Sequence, residues 1–338
     1  MLEVAAIMIL AGDIGGTKTN LAVFEIRDHS LAIVAQATFP SREHAGLEEI
    51  AKAFLTQHRF PVDLACFGIA GPVRDGHVDA TNLPWAIDAQ VLSAHLGVPA
   101  VRLLNDLEAT AYGIDTVVGA KRACLQAGAP AARGNRAVIA AGTGLGEAGV
   151  YWDGRRHSPF ACEGGHSDFA PRNELETDLF SHLYGRFGHV AWERVLSGPG
   201  LVNLYEFLRD SGRGVESPQL AAALRAGDPA ATISAAALSR TCALCEAAVD
   251  LFVSLYGAEA GNLALKVLAT GGVFVGGGIA PHLIERLKAG AFLDAFVAKG
   301  RMEALLRSMP VLVLLDPETA LWGAARAAAL AGGATLTA

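Results

Sequence analysis

Apolar and polar positions follow the same layout in two separate stretches of the chain. Each stretch begins with an apolar strand, continues through a turn of glycine and threonine, and ends in a second strand. The first covers residues 7–25 and the second residues 137–152. This pattern predicts two similar β-hairpins, with one hairpin in each of two domains.

Hydrophobic periodicity predicts further strands and helices around the two hairpins. The predicted strands are 31–39, 64–69, 100–104 and 267–275. The predicted helices are 46–58, one starting near Glu108, 281–288, and the alanine-rich 318–334. Residues 177–256 are predicted to be mostly helical, with breaks at 197–200 and 211–218. Alternation of strands and helices is typical of layered α/β domains. We therefore expect an α/β fold in which the long helical run elaborates the second domain.

Composition and charge argue against a disordered, nucleic-acid-binding or membrane-spanning protein. The 338 residues suffice for about two domains, and 52% hydrophobic with 18% charged residues argues against disorder. A net charge of −7, from 27 basic and 34 acidic residues, does not favour a nucleic-acid partner. Apolar runs such as 4–11 are far shorter than the roughly 20 residues of a membrane span, so we expect no membrane partner.

The N-terminus and the cysteines suggest a cytoplasmic protein. No Lys or Arg precedes the first apolar stretch, which is unlike a signal peptide, and Met8 is an alternative start to Met1. Five cysteines, an odd number, suit a reducing compartment. Cys242 and Cys245 form a C-x-x-C pair without a second pair nearby, so we interpret them as buried helix residues and not as a zinc or redox site.

The first hairpin carries the motif G-D-I-G-G-T. Glycines allow a sharp turn and leave backbone N–H groups accessible to an anion. Asp13 beside such a loop would repel a phosphate unless a divalent cation bridged the two, which favours a Mg²⁺-nucleotide. The alternative is an ordinary glycine-rich turn with a solvated Asp13.

The second hairpin carries G-T-G-L-G at residues 142–146. A dinucleotide site of the G-x-G-x-x-G type is disfavoured because Glu147 stands at the third glycine position and a strand, not a helix, follows. Two anion-binding turns on duplicated hairpins, facing each other across a cleft, are the more specific interpretation.

Three polar groups are candidates for substrate chemistry. Asn105 and Asp106 follow a predicted strand, where a carboxylate can accept a hydroxyl proton, although both residue types also cap helices. Glu163 and His166 flank two glycines in a tight loop that suits a polyol, with metal ligation as the weaker rival. Glu193 lies on a predicted helix among apolar neighbours. From the residues alone, an ion pair with Arg194 or another basic group is favoured over a substrate hydroxyl.

In this order the motifs resemble the bacterial ATP-dependent glucokinase family, within the actin, heat-shock ATPase and hexokinase superfamily. The resemblance rests on G-D-I-G-G-T, I-A-G-P-V, T-N-L-P-W, N-D-L-E-A, G-T-G-L-G, E-G-G-H-S-D-F-A-P, E-R-V-L-S-G-P-G-L-V-N-L-Y and G-G-V-F-V-G-G-G-I-A-P. It implies an α/β fold of two ribonuclease H-like domains flanking a cleft, the larger with a helical elaboration. The implied domains are 1–115 completed by 318–338, and 116–317. Because Ser, Thr, Gly and Pro never gather into a long linker, we expect a hinge near 113–119. Closure on the sugar is expected because it would exclude water, the competing acceptor.

The resemblance also implies roles for individual residues. Asp106 would take the proton of the 6-hydroxyl of glucose, and Asn105, Asp106, Glu163, His166 and Glu193 would bind the sugar. ATP would contact two phosphate loops and an adenosine loop, formed by Gly12, Asp13, Ile14, Gly15, Gly16 and Thr17, by Gly142, Thr143 and Gly144, and by Gly276, Gly277 and Gly278. Asp13 would hold Mg²⁺ through water.

Some residues depart from relatives of this kind. K-T-N at 18–20 replaces the N-A-R that some members carry. The related repressor and sugar-kinase group has a cysteine-rich zinc motif near E-G-G-H, whereas Cys162 stands alone here, so structural zinc is not expected. A homodimer is implied by the family only.

Three alternatives compete with glucose phosphorylation. One is a kinase for another hexose, such as mannose, fructose or an N-acetylhexosamine, because only geometry distinguishes epimers. Another is a non-sugar ATPase of the same superfamily, which the N-D and E-G-G-H motifs argue against. The third is a non-catalytic, sugar-responsive regulator. Regulators of this kind usually carry an added helix-turn-helix, and only about eleven residues precede the first phosphate loop here.

Overall fold

The computed structural model of the chain describes residues 7–336. Met1 lies outside the described residues, and with it the choice between Met1 and Met8 as the start. The last two residues of the predicted segment 318–338 also lie outside them. The strands are β1 (Met8–Ile14), β2 (Lys18–Arg27), β3 (Ser30–Pro40), β4 (Leu64–Ile69), β5 (His77–Asp79), β6 (Ala86–Asp88), β7 (Ala100–Asn105), β8 (Arg122–Gln126), β9 (Arg136–Ala141), β10 (Leu145–Trp152), β11 (His157–Cys162), β12 (Gly272–Gly276) and β13 (Val311–Leu314).

The α-helices differ widely in length, from four residues to 25. They are α1 (Leu47–His58), α2 (Ala89–Leu96), α3 (Asp106–Gly113), α4 (Glu174–Phe187), α5 (Gly198–Asp210), α6 (Pro218–Ala226), α7 (Pro229–Leu238), α8 (Ala243–Val267), α9 (Ile279–His282), α10 (Ile284–Lys288), α11 (Ala291–Val297), α12 (Glu303–Ser308) and α13 (Thr319–Ala331). Mixed strands and helices of this kind confirm the predicted α/β class.

The described chain divides into two compact units. The first contains the chain up to Lys121, Ser158–Ala161 and the chain from Asp316 onwards; the second contains Arg122–His157 and Cys162–Leu315. The predicted domains, 1–115 with 318–338 and 116–317, and the hinge near 113–119 stay predictions.

The first unit is built on a five-stranded sheet in the order β3-β2-β1-β4-β7. β1, β4 and β7 are parallel, while β1–β2 and β2–β3 are antiparallel. Alternate residues of β1 point to opposite faces, so that Leu10 enters one apolar core and Ile9 the other. Helix α13 covers the second face and packs closely on α3, because Gly323 leaves room for the backbone of Ala109.

The second unit is built on a six-stranded sheet in the order β11-β10-β9-β12-β13-β8. β9, β12 and β13 are parallel, and β9–β10 form the second predicted hairpin. Helix α8 is largely buried and contributes Phe252, Tyr256 and many small residues to the single core of this unit. Both predicted hairpins are therefore confirmed.

Some predicted boundaries are wrong. The strand predicted over 267–275 is β12 alone, because α8 continues to Val267 and ends where Leu268 adopts φ +51°. Helix α3 begins at Asp106 and not near Glu108. Cys245 is a buried residue of α8, but Cys242 caps its N-terminus, where its Sγ accepts a hydrogen bond from the Cys245 N–H at 3.3 Å.

Within residues 7–336, no single helix is long and apolar enough to cross a membrane. One bent pair, Pro229–Leu238 with Ala243–Val267 at 101°, meets the length and composition criteria jointly. The same residues hold no group of three His, Cys, Asp or Glu side chains that could bind a metal ion. That structural zinc is not needed stays a prediction.

Candidate active site

The first unit gathers three predicted residues at the carboxyl ends of its parallel strands. Asp13 pairs with Gly68 near the end of β1, and Asn105 ends β7, directly before Asp106 opens α3. A Cβ at Gly68 would lie 2.7 Å from the Cβ of Ala109, so this glycine lets α3 approach the sheet. Asp13 and Asp106 consequently lie near enough for their charges to interact.

Asp13 has unusual acid–base properties. Burial, followed by the negative charge of Asp106, raises the pKa of Asp13 to about 6, although Asn20 Nδ2 donates to its Oδ2 at 3.4 Å and Lys18 lies nearby. Carboxylate oxygens that repel one another are the hard donors that Mg²⁺ prefers, and its charge would stabilise both anions. These residues therefore fit a Mg²⁺ ion.

Asn105 is a helix cap as well as a candidate sugar ligand. Its Oδ1 accepts from the N–H of Leu107 at 2.9 Å and of Glu108 at 3.4 Å, and its Nδ2 donates to the carbonyl of Gly71 at 3.2 Å. These contacts leave the second Nδ2 hydrogen for a ligand. The carboxylate of Asp106 is oriented by the Leu107 N–H, which donates to its Oδ1 at 2.9 Å.

The first glycine loop turns tightly between β1 and β2. Gly15 N–H donates to Lys18 O at 3.0 Å, while the hydroxyl of Ser41 donates to Gly15 O at 2.8 Å. Among residues 7–336 the N–H groups of Gly16 and Thr17 have no hydrogen-bond partner. This loop can therefore present two donors to an anion. Ser41 was not predicted, because its contact with the loop is non-local.

The second glycine loop closes the turn between β9 and β10. Gly142 N–H donates to Gly144 O and Gly198 N–H donates to Gly142 O, both at 2.8 Å. The N–H groups of Thr143 and Gly144 find no partner within the described part of the chain. They give the second unit a pair of exposed donors like those of the first.

Glu193 does not form the ion pair that the residues alone favour. It lies on a 3-10 helix, Trp192–Arg194, and its Oε2 accepts from the Leu145 N–H at 2.9 Å. Arg194 instead places its guanidinium 4.2 Å from the ring centre of Phe187. Glu193 therefore supports the strand that leaves the second glycine loop, a contact that its sequence neighbours do not reveal.

The E-G-G-H segment reaches the same strand. Glu163 and His166 are exposed at the two ends of a 3-10 helix, Gly164–His166, and their side chains have no hydrogen-bond or ion-pair partner among the described residues. A Cβ at Gly165 would lie 2.0 Å from Leu145 O. Leu145 thus brings together the second glycine loop, Glu193 and the E-G-G-H segment, and leaves Glu163 and His166 available to a ligand.

The third glycine loop follows β12. Gly277 has φ +81°, and a Cβ there would lie 2.3 Å from Ala141 O. The buried hydroxyl of Tyr256 accepts from Ala141 N–H at 3.1 Å and faces Ile139 O at 3.2 Å and Gly276 O at 3.1 Å. Burial raises the pKa of Tyr256. Tyr256 therefore joins the strands that lead into two predicted nucleotide loops, and nothing in its apolar helix pattern marks that role.

Replacing Tyr256 with Phe is expected to lower the free energy of unfolding by about 1–3 kcal/mol, because Ala141 N–H is left buried without an acceptor. Denaturant unfolding measures this change. Tyr184→Phe is the matched control, since Tyr184 is 57% exposed and stacks on Phe180 through its ring. Equal stability of the two variants would contradict the role given to the Tyr256 hydroxyl.

Comparison with known proteins identifies relatives over nearly the whole chain. Residues 10–331 match the family model described as Glucokinase. The chain is 41% identical to the glucokinase of Nostoc punctiforme over 337 residues, 95% of this chain and 99% of that protein. It is 37% identical to the glucokinase of Yersinia pestis (strain Pestoides F) over 317 residues, 93% and 94% of the two chains.

Solved structures show the same fold. A glucokinase from an Antarctic psychrotroph has a TM-score of 0.82 and 31% identity, covering 95% of this chain and 98% of that one. A glucokinase from Balamuthia mandrillaris, solved in complex with glucose, has a TM-score of 0.76 and 23% identity over 97% and 95% of the two chains. The second likeness concerns the fold alone.

Proposed function

Because the chain belongs to the glucokinase family and phosphorylates glucose with ATP, we propose that Asp106 is the base of this reaction. Its carboxylate accepts the proton of the sugar's 6-hydroxyl while that oxygen bonds to the γ-phosphorus of ATP. The bond to the bridging oxygen breaks, and the products are glucose 6-phosphate and ADP.

The position of Asp106 is the observation that carries this proposal. The residue begins α3 at the carboxyl edge of a parallel sheet, where its Oδ1 is oriented by Leu107 N–H and Asp13 lies close by. Phosphoryl transfer needs alignment and charge stabilisation more than covalent help from the protein. A single oriented carboxylate beside a cation-binding group fits that requirement.

The sugar-binding groups follow from what each side chain leaves unused. Asn105 retains one amide hydrogen after its Nδ2 donates to Gly71 O, and Glu163 and His166 are exposed and have no side-chain partner among residues 7–336. Glu193 uses Oε2 for Leu145 and keeps Oε1 for a hydroxyl. Carboxylate acceptors with amide and imidazole donors suit the alternating hydroxyls of a pyranose.

The nucleotide is assigned to the three glycine loops. Gly12–Thr17 and Gly142–Gly144 offer N–H groups to the phosphates, and Gly276–Gly278 bind the adenosine side, where Gly277 has no side chain to obstruct it. Bound Mg²⁺, held by Asp13 through water, would neutralise charge on the phosphates. Asp13 would orient the water of such an ion, and Asn20 Nδ2 donates to the Asp13 carboxylate at 3.4 Å.

Replacing Glu163 with Gln is expected to raise KM for glucose about 10- to 100-fold, since hydrogen bonds to a charged group contribute about 1.5–3 kcal/mol. KM for ATP should change little. Steady-state ADP release measures both constants, and Glu174→Gln, an exposed glutamate at the start of α4, is the matched control. An unchanged KM for glucose would show that Glu163 does not bind the sugar.

A sugar panel tests the breadth of the activity. Glucose, mannose, fructose, N-acetylglucosamine and N-acetylmannosamine are compared by ADP release, and glucose is expected to give the highest kcat/KM. A higher kcat/KM with another hexose would support the proposed phosphoryl transfer but identify a different preferred substrate. Sugar binding without turnover would instead indicate a regulator.

We also propose that the protein is a cytoplasmic homodimer, as the family resemblance implied. Size-exclusion chromatography with light scattering tests the dimer and should give twice the mass of the 35.1 kDa chain. A mass of one chain at micromolar concentration would contradict it.

A further inference from the structure

Two buried acids of the second unit are not used by the proposed reaction. Glu147 on β10 and Glu259 on α8 are 1% and 0% exposed, and their carboxyl groups face one another. Glu259 accepts from Asn262 Nδ2 at 2.7 Å and from Lys266 Nζ at 3.3 Å. Glu147 Oε1 has no donor among residues 7–336.

The unequal number of hydrogen-bond donors around the two carboxyl groups indicates which of the two acids is protonated. Two adjacent buried carboxylates cannot both be ionised without a large electrostatic cost, and a shared proton removes it. Glu259 already has two donors, so Glu259 is the anion and Glu147 is the acid that donates to it. The proton then satisfies the otherwise unpaired Oε1 of Glu147.

The surroundings of Glu147 favour its neutral form. Burial, followed by the charge of Glu259, raises the pKa of Glu147 to about 8, and Lys266 only partly opposes this. In the described part of the chain the other titratable groups that face it are Cys162 and Tyr256, and burial raises the pKa of each. Glu147 therefore becomes charged at mildly alkaline pH, while these neighbours stay neutral.

Glu147 lies directly beneath the E-G-G-H segment. A Cβ at Gly164 would be 1.8 Å from Glu147 Oε2, so the carboxyl group occupies the space that a side chain at position 164 would need. Gly164 lies between Glu163 and His166, the two exposed sugar ligands proposed above. Displacement of the Glu147 carboxyl group would therefore move the backbone that carries them.

Further charged groups hold the chain that follows this segment. Arg172 N–H donates to Glu176 Oε2 at 2.8 Å, and its guanidinium also binds this buried carboxylate. Lys299 Nζ donates to Asn262 Oδ1 at 2.5 Å, and burial together with the charge of Arg172 lowers the pKa of Lys299 to about 8. The acid pair thus belongs to a larger network around residues 163–172.

We propose that Glu147, kept neutral by the proton it donates to Glu259, is a positioning residue for Glu163 and His166, and that loss of this proton weakens glucose binding. This inference rests on the sugar-binding role proposed for Glu163 and His166. The ionised pair repels itself in the core, the Glu147 carboxyl group moves, and Gly164 moves with it.

The test is the pH dependence of KM for glucose and of kcat between pH 6.5 and 9.5. In the wild-type enzyme KM for glucose is expected to rise about three- to tenfold with a midpoint near pH 8, with a much smaller change in KM for ATP. Glu147→Gln, whose amide can donate to Glu259 at every pH, is expected to lose this rise. Titrations of other groups are common to both proteins and cancel in the comparison.

A second variant keeps the test decisive if Glu147→Gln does not fold. In Glu259→Gln an amide donates to the Glu147 carboxylate and no second negative charge repels it, so the rise in KM should be lost here as well. Glu246→Gln, on the same helix but paired with Arg286, is the matched control and should keep the wild-type profile. Superimposable profiles for the wild-type enzyme and the folded Glu147 or Glu259 variant would overturn the proposal.

Glu163→Gln in the same assay separates the two claims. If Glu163→Gln leaves KM for glucose unchanged, the proposed sugar site fails. If it raises KM while the Glu147 and wild-type profiles coincide, only the positioning role fails.

Discussion

Replacement of Asp106 by Asn is expected to lower kcat about 10²- to 10⁴-fold, the usual contribution of a general base. Asn keeps the size of the side chain and can still accept the Leu107 N–H through its Oδ1, but it cannot take up the proton of the hydroxyl. Because Asn105 and the other proposed sugar ligands are unchanged, KM for glucose should change by less than about threefold.

Coupled ADP release at saturating Mg-ATP measures this effect. Asp88→Asn is the matched control, since Asp88 is also a partly buried aspartate at a helix start, accepting from Gln90 and Val91 N–H in the same unit. The control should stay near wild-type activity. A kcat for Asp106→Asn within tenfold of the wild type would exclude Asp106 as the base.

Replacement of Gly277 by Ala is expected to raise KM for ATP at least about tenfold and to lower the free energy of unfolding by more than about 2 kcal/mol. Two costs combine in this variant. The residue has φ +81°, which a Cβ disfavours by about 1 kcal/mol or more, and the new Cβ would lie 2.3 Å from Ala141 O. Ala141 is held by Tyr256, so the third loop must move instead.

Gly212→Ala separates these two costs. Gly212 has φ +72° in the same unit, but a Cβ there meets nothing within 4 Å. This control should therefore show the backbone strain alone, about 1 kcal/mol in urea unfolding, with no change in KM for ATP. A Gly277→Ala enzyme that resembles the control in both measurements would show that the third loop does not depend on this close contact.

Local patterns in the sequence were sufficient for much of the fold. The hairpins at 7–25 and 137–152, the helix at 46–58 and the strand at 64–69 depend on alternation, helical periodicity and glycine turns that lie within short segments. The family resemblance is confirmed by the match over residues 10–331. The α/β class followed from the order of these elements.

Contacts between distant segments could not be predicted. Glu193 bonds to Leu145, 48 positions away, and the buried Tyr256 hydroxyl bonds to Ala141, 115 positions away. Along the sequence Glu147 differs from its surroundings only in standing at the third glycine position of a dinucleotide motif, and its neighbour Glu259 lies in the apolar pattern of α8. The strand predicted at 267–275 was wrong because the apolar end of α8 and β12 form one hydrophobic run across a short turn.

The most direct test of the proposed reaction is product formation by the wild-type enzyme and Asp106→Asn with glucose and Mg-ATP. Glucose 6-phosphate, detected by its oxidation with a specific dehydrogenase, is quantified beside ADP in the same samples. Equal amounts of the two products are expected from the wild-type enzyme, with a parallel loss of both in the variant. ADP without glucose 6-phosphate from the wild type, or undiminished glucose 6-phosphate from Asp106→Asn, would contradict it.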